Sequence, residues 1–516
     1  MKLNRTKNTI RNTFWGMIYR IVTLIGPFVV KTILVKEMGL EYSGLSSLFT
    51  SILTVLNLTN LGFNSSIVFT MYKAIVDDNI EEQCAMLNFY RKAYRVVGTV
   101  ILGLGFLVMP FLPYLVKGNY PKGINIYILF GIYLAETVID YFVYAYNIAV
   151  FTAYQRNDIT LRISTVRYSV QYVIQATVLI LFKSYYLYIL TSAIMIIPNN
   201  IANHIICKKI YPEITCRGTI GEEIKSDIFK RVITLFGHKL GNTMLVSVDS
   251  IIISAFLGLE VMGLYGNYYY ILTEVNALVE IVTNGAISGI GNKLFTDTKT
   301  ENYKLFKQMT YGWLFLIGLS SSCMMNLYQP FIGGIWYDEG YLLNTHLVFL
   351  IVLYFYAWMF RIMQLTYRDA AGLWTKDWLK PYVAMVLNLT GSIYLVKTTG
   401  SIAGVLVPTI AIFFFVYYPW EGRILFKYLF ARNMRGYVLE TVGYMGITFL
   451  GCGVTYILSA CIMPNNSVKS FVIRFLITIT IFPALWILLT HKKEEYKILR
   501  ERLERIIERK CNYRKN

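Results

Sequence analysis

Long apolar runs recur along the whole chain and are separated by short polar stretches. A helix of about 20 apolar residues crosses the roughly 30 Å hydrocarbon core of a bilayer, and many of the runs approach that length. The pattern therefore predicts about fourteen transmembrane helices joined by short loops, with no sizeable soluble domain. The predicted spans are residues 13–35, 45–72, 96–116, 124–152, 163–182, 187–207, 232–256, 262–290, 309–329, 344–367, 381–397, 402–422, 437–462 and 468–490.

The second half of the pattern echoes the first at an offset of 219 residues. Residues 39–45 read GLEYSGL and residues 258–264 read GLEVMGL, and at the same offset Arg20 falls on Lys239. Internal repeats in a multi-pass membrane protein are typical of transporters, whose substrate site lies between the repeats near the membrane midplane. The repeat therefore favours a carrier.

We predict an all-α polytopic fold in which two six-helix lobes are followed by a C-terminal helix pair. In the tail, Tyr496, Leu499 and Leu503 recur at helical spacing among charged residues, which predicts a basic amphipathic helix on the inner membrane surface. This helix would serve as a lipid anchor or as a docking arm. The predicted parts are an N-lobe at 1–210, a cytoplasmic linker at 211–231, a C-lobe at 232–430, accessory helices at 431–490 and the tail at 491–516.

Composition and charge support a membrane location. Of the 516 residues 56% are hydrophobic, and the mean hydropathy of +0.50 exceeds ordinary globular usage. The net charge of +19 is distributed unevenly, since the predicted cytoplasmic segments hold 38 Lys and Arg residues and the predicted outer segments hold six. This asymmetry follows the positive-inside rule and predicts cytoplasmic termini. It therefore argues against nucleic acid as the partner of these charges.

Four basic residues inside the predicted spans are candidates for substrate binding, because an ionisable side chain there costs about 2.5–3.5 kcal/mol. Arg20 and Lys31 lie eleven residues apart in the first span, so both can face one side of a helix. Lys239 is the repeat counterpart of Arg20, and Arg361 lies in the tenth span. Such cations suit a phosphate-bearing substrate. The alternative is that each side chain extends to the nearest interface.

Acidic residues form a second candidate set. Asp249 is the sole acid of the seventh span, where it would bind a coupling sodium ion or proton, or else form a structural ion pair. Glu136 and Asp140 lie at i and i+4 on one face of the fourth span, and Glu274 lies in the eighth. We expect these three to balance the cavity cations.

Enzymatic signatures are not found in the sequence. It contains no Walker A pattern, metal-ligand cluster or nucleophile elbow, so we expect no enzyme activity, no ATP hydrolysis and no cofactor beyond a coupling ion. The seven cysteines form no CxxC pair, which argues against a zinc site or a disulfide scaffold.

Several motifs resemble the polysaccharide flippases of the Wzx type, and the likeness extends over nearly the whole chain. These motifs are GLEYSGL at 39–45, LGF at 61–63, MYK at 71–73, YRKAYR at 90–95, DSIIIS at 249–254 and YRDAAGLW at 367–374. The resemblance implies membership of the multidrug/oligosaccharidyl-lipid/polysaccharide exporter superfamily, with two six-helix bundles that alternate between inward-open and outward-open states.

This resemblance also implies a substrate and a location. Wzx-type proteins move an undecaprenyl-diphosphate-linked oligosaccharide across the bacterial cytoplasmic membrane for cell-surface polysaccharide synthesis. They are expected to work beside a polysaccharide polymerase and glycosyltransferases. The related lipid II flippases place a cation site in the second lobe, which implies Asp249 and Asn388 here, although the acid expected nearby in the eleventh span is absent.

Two other functions remain open at this point. A cation-coupled multidrug exporter of the same superfamily would prefer an acidic cavity, whereas the intramembrane cations favour an anionic substrate. A membrane-embedded polymerase or glycosyltransferase would need a sizeable outer loop with catalytic residues, and the predicted outer segments are short.

Overall fold

The computed structural model describes residues 5–57, 63–118, 120–463 and 465–513, and regular structure throughout these ranges is helical. Short 3-10 or π segments interrupt or extend several helices. The helices are α1 (Arg5–Met38), α2 (Leu40–Leu56), α3 (Phe63–Val76), α4 (Ile80–Val108), α5 (Ile126–Phe142), α6 (Ile148–Ala153), α7 (Asn157–Phe182), α8 (Tyr185–Ile210), α9 (Glu222–Leu257), α10 (Leu259–Thr296), α11 (Lys299–Phe331), α12 (Thr345–Phe360), α13 (Ile362–Ala370), α14 (Lys380–Thr399), α15 (Ala403–Ile412), α16 (Tyr418–Ile424), α17 (Arg435–Ile462), α18 (Val468–Thr490) and α19 (Glu494–Tyr513).

Local polar side chains explain where several helices begin. The Asn79 side chain accepts a hydrogen bond from the Glu82 backbone N–H at the start of α4. At the start of α11, Thr298 and Glu301 form a reciprocal capping box. Each contact satisfies backbone N–H groups that a helix leaves without an internal partner at its N-terminus.

The predicted spans fall on helices or on pairs of helices. Within the described residues, eight helices are long and apolar enough to cross a membrane, or nine if the bent pair of α5 with the segment Ala145–Ala153 counts as one span. The other predicted spans coincide with α2 and α3, with α9 to α11 and with α14. The protein is therefore an all-helical, multi-pass membrane protein, as predicted.

The internal repeat is visible in the backbone. Helices α1 and α9 end 219 residues apart, and α2 and α10 begin 219 residues apart. The residues between them, Gly39 and Gly258, adopt nearly the same conformation, with φ 103° and ψ 173° against φ 99° and ψ 173°. Positive φ values of this kind favour glycine. The sequence repeat thus encodes the same interhelical turn twice.

A second glycine pair packs α2 and α10 together through reciprocal contacts. A Cβ atom added to Gly44 would lie 2.1 Å from the Leu259 carbonyl oxygen, and one added to Gly263 would lie 2.3 Å from the Leu40 carbonyl oxygen. Each of these four residues is the repeat counterpart of another, so both contacts follow from one local geometry. Small residues permit such close helix approach in membranes.

By packing, the chain divides into two compact units, unit 1 (Met1–Gly266) and unit 2 (Asn267–Asn516). The division falls inside α10, so α9 and the start of α10 belong to unit 1 together with the first six predicted spans. The predicted lobe boundaries, which follow the repeat, stay a prediction. Helix α9 begins at Glu222, so the second half of the predicted linker is helical.

Two of the predicted spans are not straight helices, and the tail forms a further helix. The fourth span bends by 52° between α5 and the segment Ala145–Ala153. The tenth is interrupted at Arg361, between α12 and α13. The tail forms a helix as predicted, and it packs on α11, where Lys307 pairs with Glu495 at 2.7 Å.

Candidate functional site

Helices α1 and α7 pack closely and bring a group of polar residues together inside unit 1. The rings of Tyr19 and Tyr168 lie 5.9 Å apart, centroid to centroid. Farther along α1, a Cβ atom on Gly26 would lie 2.0 Å from the Tyr172 ring, so only glycine leaves room for that ring. We name the residues Tyr19, Arg20, Glu136, Asp140, Arg167 and Asn200 the unit 1 polar cluster.

Arg167 is the central cation of this cluster. Its guanidinium carbon lies 4.4 Å from the centroid of the Tyr168 ring, a cation–π contact. It also acts electrostatically on Glu136, Asp140 and Tyr19. Within the described part of the chain its buried Nε has no hydrogen-bond partner and its side chain makes no ion pair. Arg167 is therefore held in place by an aromatic ring and not by a bound carboxylate.

The predicted fifth span begins at residue 163, only four residues before Arg167, so sequence reasoning placed Arg167 at the cytoplasmic interface and counted it with the cytoplasmic cations. Helix α7 begins earlier, at Asn157. Arg167 therefore lies ten residues into the helix, about 15 Å along its axis. The signal that would have identified it is the polar but helical segment that precedes the apolar run.

The predicted cavity acids on α5 lie in the same cluster. Asn200 on α8 is fully buried and donates a hydrogen bond of 2.8 Å to Asp140 Oδ1. Glu136 is half-buried and lies one helical turn before Asp140. The two carboxylates and Arg167 thus share one region of unit 1. Their role in charge balance stays a prediction.

Arg20 lies half-buried on α1 and acts electrostatically on Tyr19, as Arg167 does. Two cations from neighbouring helices therefore approach one tyrosine. The predicted partner of Arg20 across the repeat, Lys239, lies on α9, but its side chain is outside the described residues. The Arg20 and Lys239 clamp accordingly stays a prediction.

Lys31, the other cation of α1, lies beside the start of α10. Its Nζ donates a hydrogen bond of 2.7 Å to the carbonyl oxygen of Gly266. A Cβ atom on Gly266 would lie 3.6 Å from that Nζ and 3.1 Å from Ser47 Oγ, so the amine is closely enclosed. The role of Lys31 in substrate binding stays a prediction.

The predicted ion-coupling residues are both buried. Asp249 lies on α9 in unit 1 with 1% of its surface exposed. Asn388 lies on α14 in unit 2 and donates a hydrogen bond of 2.7 Å to Thr409 Oγ1. Glu274, the third predicted cavity acid, is half-buried on α10. Their binding of a coupling ion stays a prediction.

Arg361 belongs to a buried ion-pair network in unit 2, which we name the unit 2 charge cluster. Arg361 and Lys380 each contact Glu421 Oε1 at 2.5 Å, and Lys380 also contacts Asp377 Oδ2 at 2.7 Å. Arg368 pairs with Asp377 as well. All five side chains are buried. The predicted role of Arg361 in substrate binding is untested, but its charge is already met within the unit.

Sequence reasoning missed Glu421, the carboxylate at the centre of this network. The available signal was its position as the sole acid of the twelfth predicted span. Hydropathy alone did not connect it with Arg361, which precedes it by 60 residues.

No family model and no curated protein matches the chain. Solved structures do match its fold. A multidrug resistance MATE family transporter of the MOP superfamily, in an inward-facing conformation, aligns at a TM-score of 0.59 and 11% identity, covering 79% of this chain and 98% of its own. A MOP superfamily transporter from Pyrococcus furiosus, described by a reversed polarity of its binding pocket, aligns at a TM-score of 0.53 and 11% identity, covering 81% and 96%. The chain therefore has the fold of the MOP superfamily transporters.

Within that fold, the likeness to a lipid II flippase is more extensive. The flippase MurJ, in an inward closed conformation, aligns at a TM-score of 0.65 and 15% identity, covering 93% of this chain and 99% of its own. These identities are low, so the comparisons show the fold. That fold agrees with the all-helical transporter architecture that the motif resemblance implied.

Proposed function

We propose that this protein is a flippase of the Wzx type. It would move undecaprenyl-diphosphate-linked oligosaccharide units across the bacterial cytoplasmic membrane by alternating access, for cell-surface polysaccharide synthesis. The observation that carries the proposal is the approach of Arg20 and Arg167 to one tyrosine inside a membrane-spanning bundle. The likeness to a lipid II flippase over 93% of the chain supports a lipid-linked substrate.

The chemistry of Arg167 suits a diphosphate. A guanidinium offers donors arranged in a planar fork that matches phosphate oxygens. The Tyr168 ring lies against the guanidinium, and within the described residues no hydrogen bond or ion pair occupies its donors. A diphosphate entering unit 1 would therefore meet a cation whose orientation is already set, and which gives up no existing ion pair within the described residues.

The acids of the unit 1 polar cluster would keep this binding reversible. In their ionised form Glu136 and Asp140 would repel an incoming anion and so weaken its attraction to Arg167. A carrier needs binding that is strong enough for recognition and weak enough for release on the other side. We propose that Asp249, with Asn388 as a second candidate, binds the coupling sodium ion or proton. A polysaccharide polymerase and glycosyltransferases are the proposed partners.

The same acids support a second candidate function, a cation-coupled multidrug exporter. Glu136 and Asp140 would attract a cationic drug, and MATE transporters are among the proteins of the same fold. The two functions make opposite demands on the cluster. A flippase depends on its arginines and tolerates loss of one of the two carboxylates, because the other still weakens anion binding, whereas an exporter of cationic drugs depends on the carboxylates.

The test uses purified protein in liposomes that carry the lipid-linked oligosaccharide in one leaflet. An impermeant lectin scores the glycan that reaches the opposite leaflet, and efflux of a cationic dye is measured in parallel. Loss of one charged hydrogen bond, worth about 1.5–3 kcal/mol, predicts that Arg167→Gln slows flipping about 10- to 150-fold. Arg162→Gln is the matched control, because Arg162 lies on the same helix and its side chain is 50% exposed.

The outcomes separate the two functions. Flipping that is lost in Arg167→Gln and retained in Arg162→Gln and in Asp140→Asn supports the flippase. Dye efflux that is lost in Asp140→Asn and retained in Arg167→Gln supports the exporter. Normal flipping by Arg167→Gln would remove the arginine site from the mechanism.

A further inference from the structure

A long apolar groove runs along one side of unit 2, between α12, the segment from α15 to residue 430, and α17. Its volume is 1370 Å³, above the roughly 300–1,000 Å³ of usual small-molecule pockets. From α17 it is lined by Arg435, Leu439, Val442, Met445 and Phe449. These residues lie on one face of the helix, and the face is about 21 Å long. That length exceeds half of the roughly 30 Å hydrocarbon core.

Four basic residues stand at one end of this groove. Arg423, Lys427, Arg432 and Arg435 all line it, and all four are exposed. Two of them contact neutral groups. Lys427 lies 5.2 Å from the centroid of the Tyr428 ring, and Arg432 lies over the ring of Tyr303. Within the described residues none of the four forms an ion pair. The groove therefore joins an apolar channel to an uncompensated positive end.

A second, smaller groove lies on the other side of the same helical segment. Its volume is 630 Å³, and it shares Phe415, Pro419, Arg423 and Lys427 with the first groove. Phe415 and Pro419 thus form an apolar ridge with a groove on each side, and the two shared cations stand at its end. The predicted topology places these cations on the cytoplasmic side.

We propose that this surface binds a two-chain anionic phospholipid of the inner leaflet. One acyl chain lies in each groove and the two chains straddle the ridge, while the phosphate contacts Arg423 and Lys427. Clusters of four or more Lys and Arg next to the cytoplasmic end of a membrane helix are typical of anionic-lipid sites. The paired grooves favour two chains over the single chain of a polyprenyl diphosphate. The inference does not depend on the proposed transport function.

The test measures lipid binding to the full-length protein in neutral detergent by native mass spectrometry. The probes are phosphatidylglycerol and phosphatidylcholine with identical chains, single-chain lysophosphatidylglycerol, and undecaprenyl diphosphate. Each charge contributes roughly a fivefold change in affinity, so Arg423→Gln/Lys427→Gln should weaken phosphatidylglycerol binding about 25-fold. The matched control is Lys299→Gln/Lys304→Gln, which removes two exposed charges of α11 that do not line the groove.

A second variant tests the groove itself without a change of charge. Val442→Trp places a large ring in the apolar channel and should also abolish tight phosphatidylglycerol binding. Leu450→Trp is its control, because Leu450 lies on the same helix, is 53% exposed and does not line the groove. Unchanged melting temperatures confirm that each variant is folded.

Two sets of results overturn the proposal. The first is a missing charge effect: either phosphatidylglycerol and phosphatidylcholine bind equally well, or the double variant binds phosphatidylglycerol as well as its control does. The other is tight binding of undecaprenyl diphosphate that phosphatidylglycerol does not displace, which would assign the groove to a single-chain lipid. Phosphatidylglycerol binding that exceeds that of its lyso form and falls in both variants supports the paired-groove site.

Discussion

The reciprocal contacts between α2 and α10 make a sharp prediction about two glycines. In Gly44→Ala the new methyl carbon would lie 2.1 Å from the Leu259 carbonyl oxygen, and in Gly263→Ala it would lie 2.3 Å from the Leu40 carbonyl oxygen. In both cases the opposing atom belongs to the backbone, so no side-chain rotation relieves the clash. Each substitution should therefore force the two helices apart.

The magnitude follows from the distance. An ordinary contact for a Cβ atom begins near 3.4 Å, so the helices must separate by about 1 Å at each site. Overpacking of this kind typically costs about 1–3 kcal/mol. In a folded unit of this size one kcal/mol lowers the melting temperature by about 2–4 °C. We expect each variant to melt about 2–12 °C below the wild type.

Buried thiols in unit 1 provide the assay. Cys84 and Cys207 are 0% and 2% exposed, so a thiol-reactive dye that fluoresces on coupling reports the unfolding of this unit. A background in which the other cysteines are serine restricts the signal to these two. Gly103→Ala in α4 is the matched control, because a Cβ atom there meets nothing within 4 Å. Helix propensity predicts that it raises stability by up to about 1 kcal/mol.

One result would refute this reasoning. If Gly44→Ala and Gly263→Ala both melt at or above the temperature of Gly103→Ala, the helices do not approach as closely as described. A loss in only one of the two variants would contradict the reciprocity of the repeat.

Two further predictions concern unit 2. Glu421→Gln leaves buried cations without their carboxylate, so it should destabilise the unit by about 3–5 kcal/mol in thermal melts. Asp369→Asn is the control: its side chain is half-exposed, so the substitution should cost less than about 1 kcal/mol. Equal losses of stability in the two variants would contradict the ion-pair network. Burial alone lowers the pKa of Lys307, which precedes the ninth span, but hydrogen bonds to Glu495 and Glu440 outweigh it and raise the pKa to about 12. Because this pKa exceeds the ordinary value near 10.4, the contact should hold α19 below about pH 10 and be lost as the pH approaches 12. A fluorophore on α19 measures its release, and release unchanged in Lys307→Met would exclude the ion pair as the cause.

Much of the fold follows from two properties of the sequence. Apolar runs of membrane-spanning length located the helices, and the 219-residue offset aligned Gly39 with Gly258, which the structure shows in the same turn conformation. Such features are local or repeat a local pattern, so they can be read without knowledge of tertiary contacts. Hydropathy was less informative at span boundaries, because helices such as α7 extend beyond the apolar run into polar sequence.

The candidate sites were harder to predict, because they depend on which charges meet. A charge in an apolar span signals that something compensates its cost, but the sequence does not name the partner. Arg361 and Glu421 are 60 residues apart and meet through helix packing alone. Arg167 went unrecognised because the predicted span began six residues after α7 does, which placed this residue near the interface.

The two charged clusters differ in how their cations are neutralised. This difference suits the unit 2 charge cluster to a structural role and the unit 1 polar cluster to the binding of a substrate. In the unit 2 charge cluster, carboxylate oxygens lie 2.5 Å from Arg361 and Lys380, so the protein itself supplies the counter-charge. Removal of a partner there should cost stability. In the unit 1 polar cluster, Asp140 accepts a hydrogen bond from Asn200, while Arg167 rests on an aromatic ring. A cation that is oriented but not directly paired is suited to an anion that arrives and leaves, which is what a phosphate-bearing substrate would do.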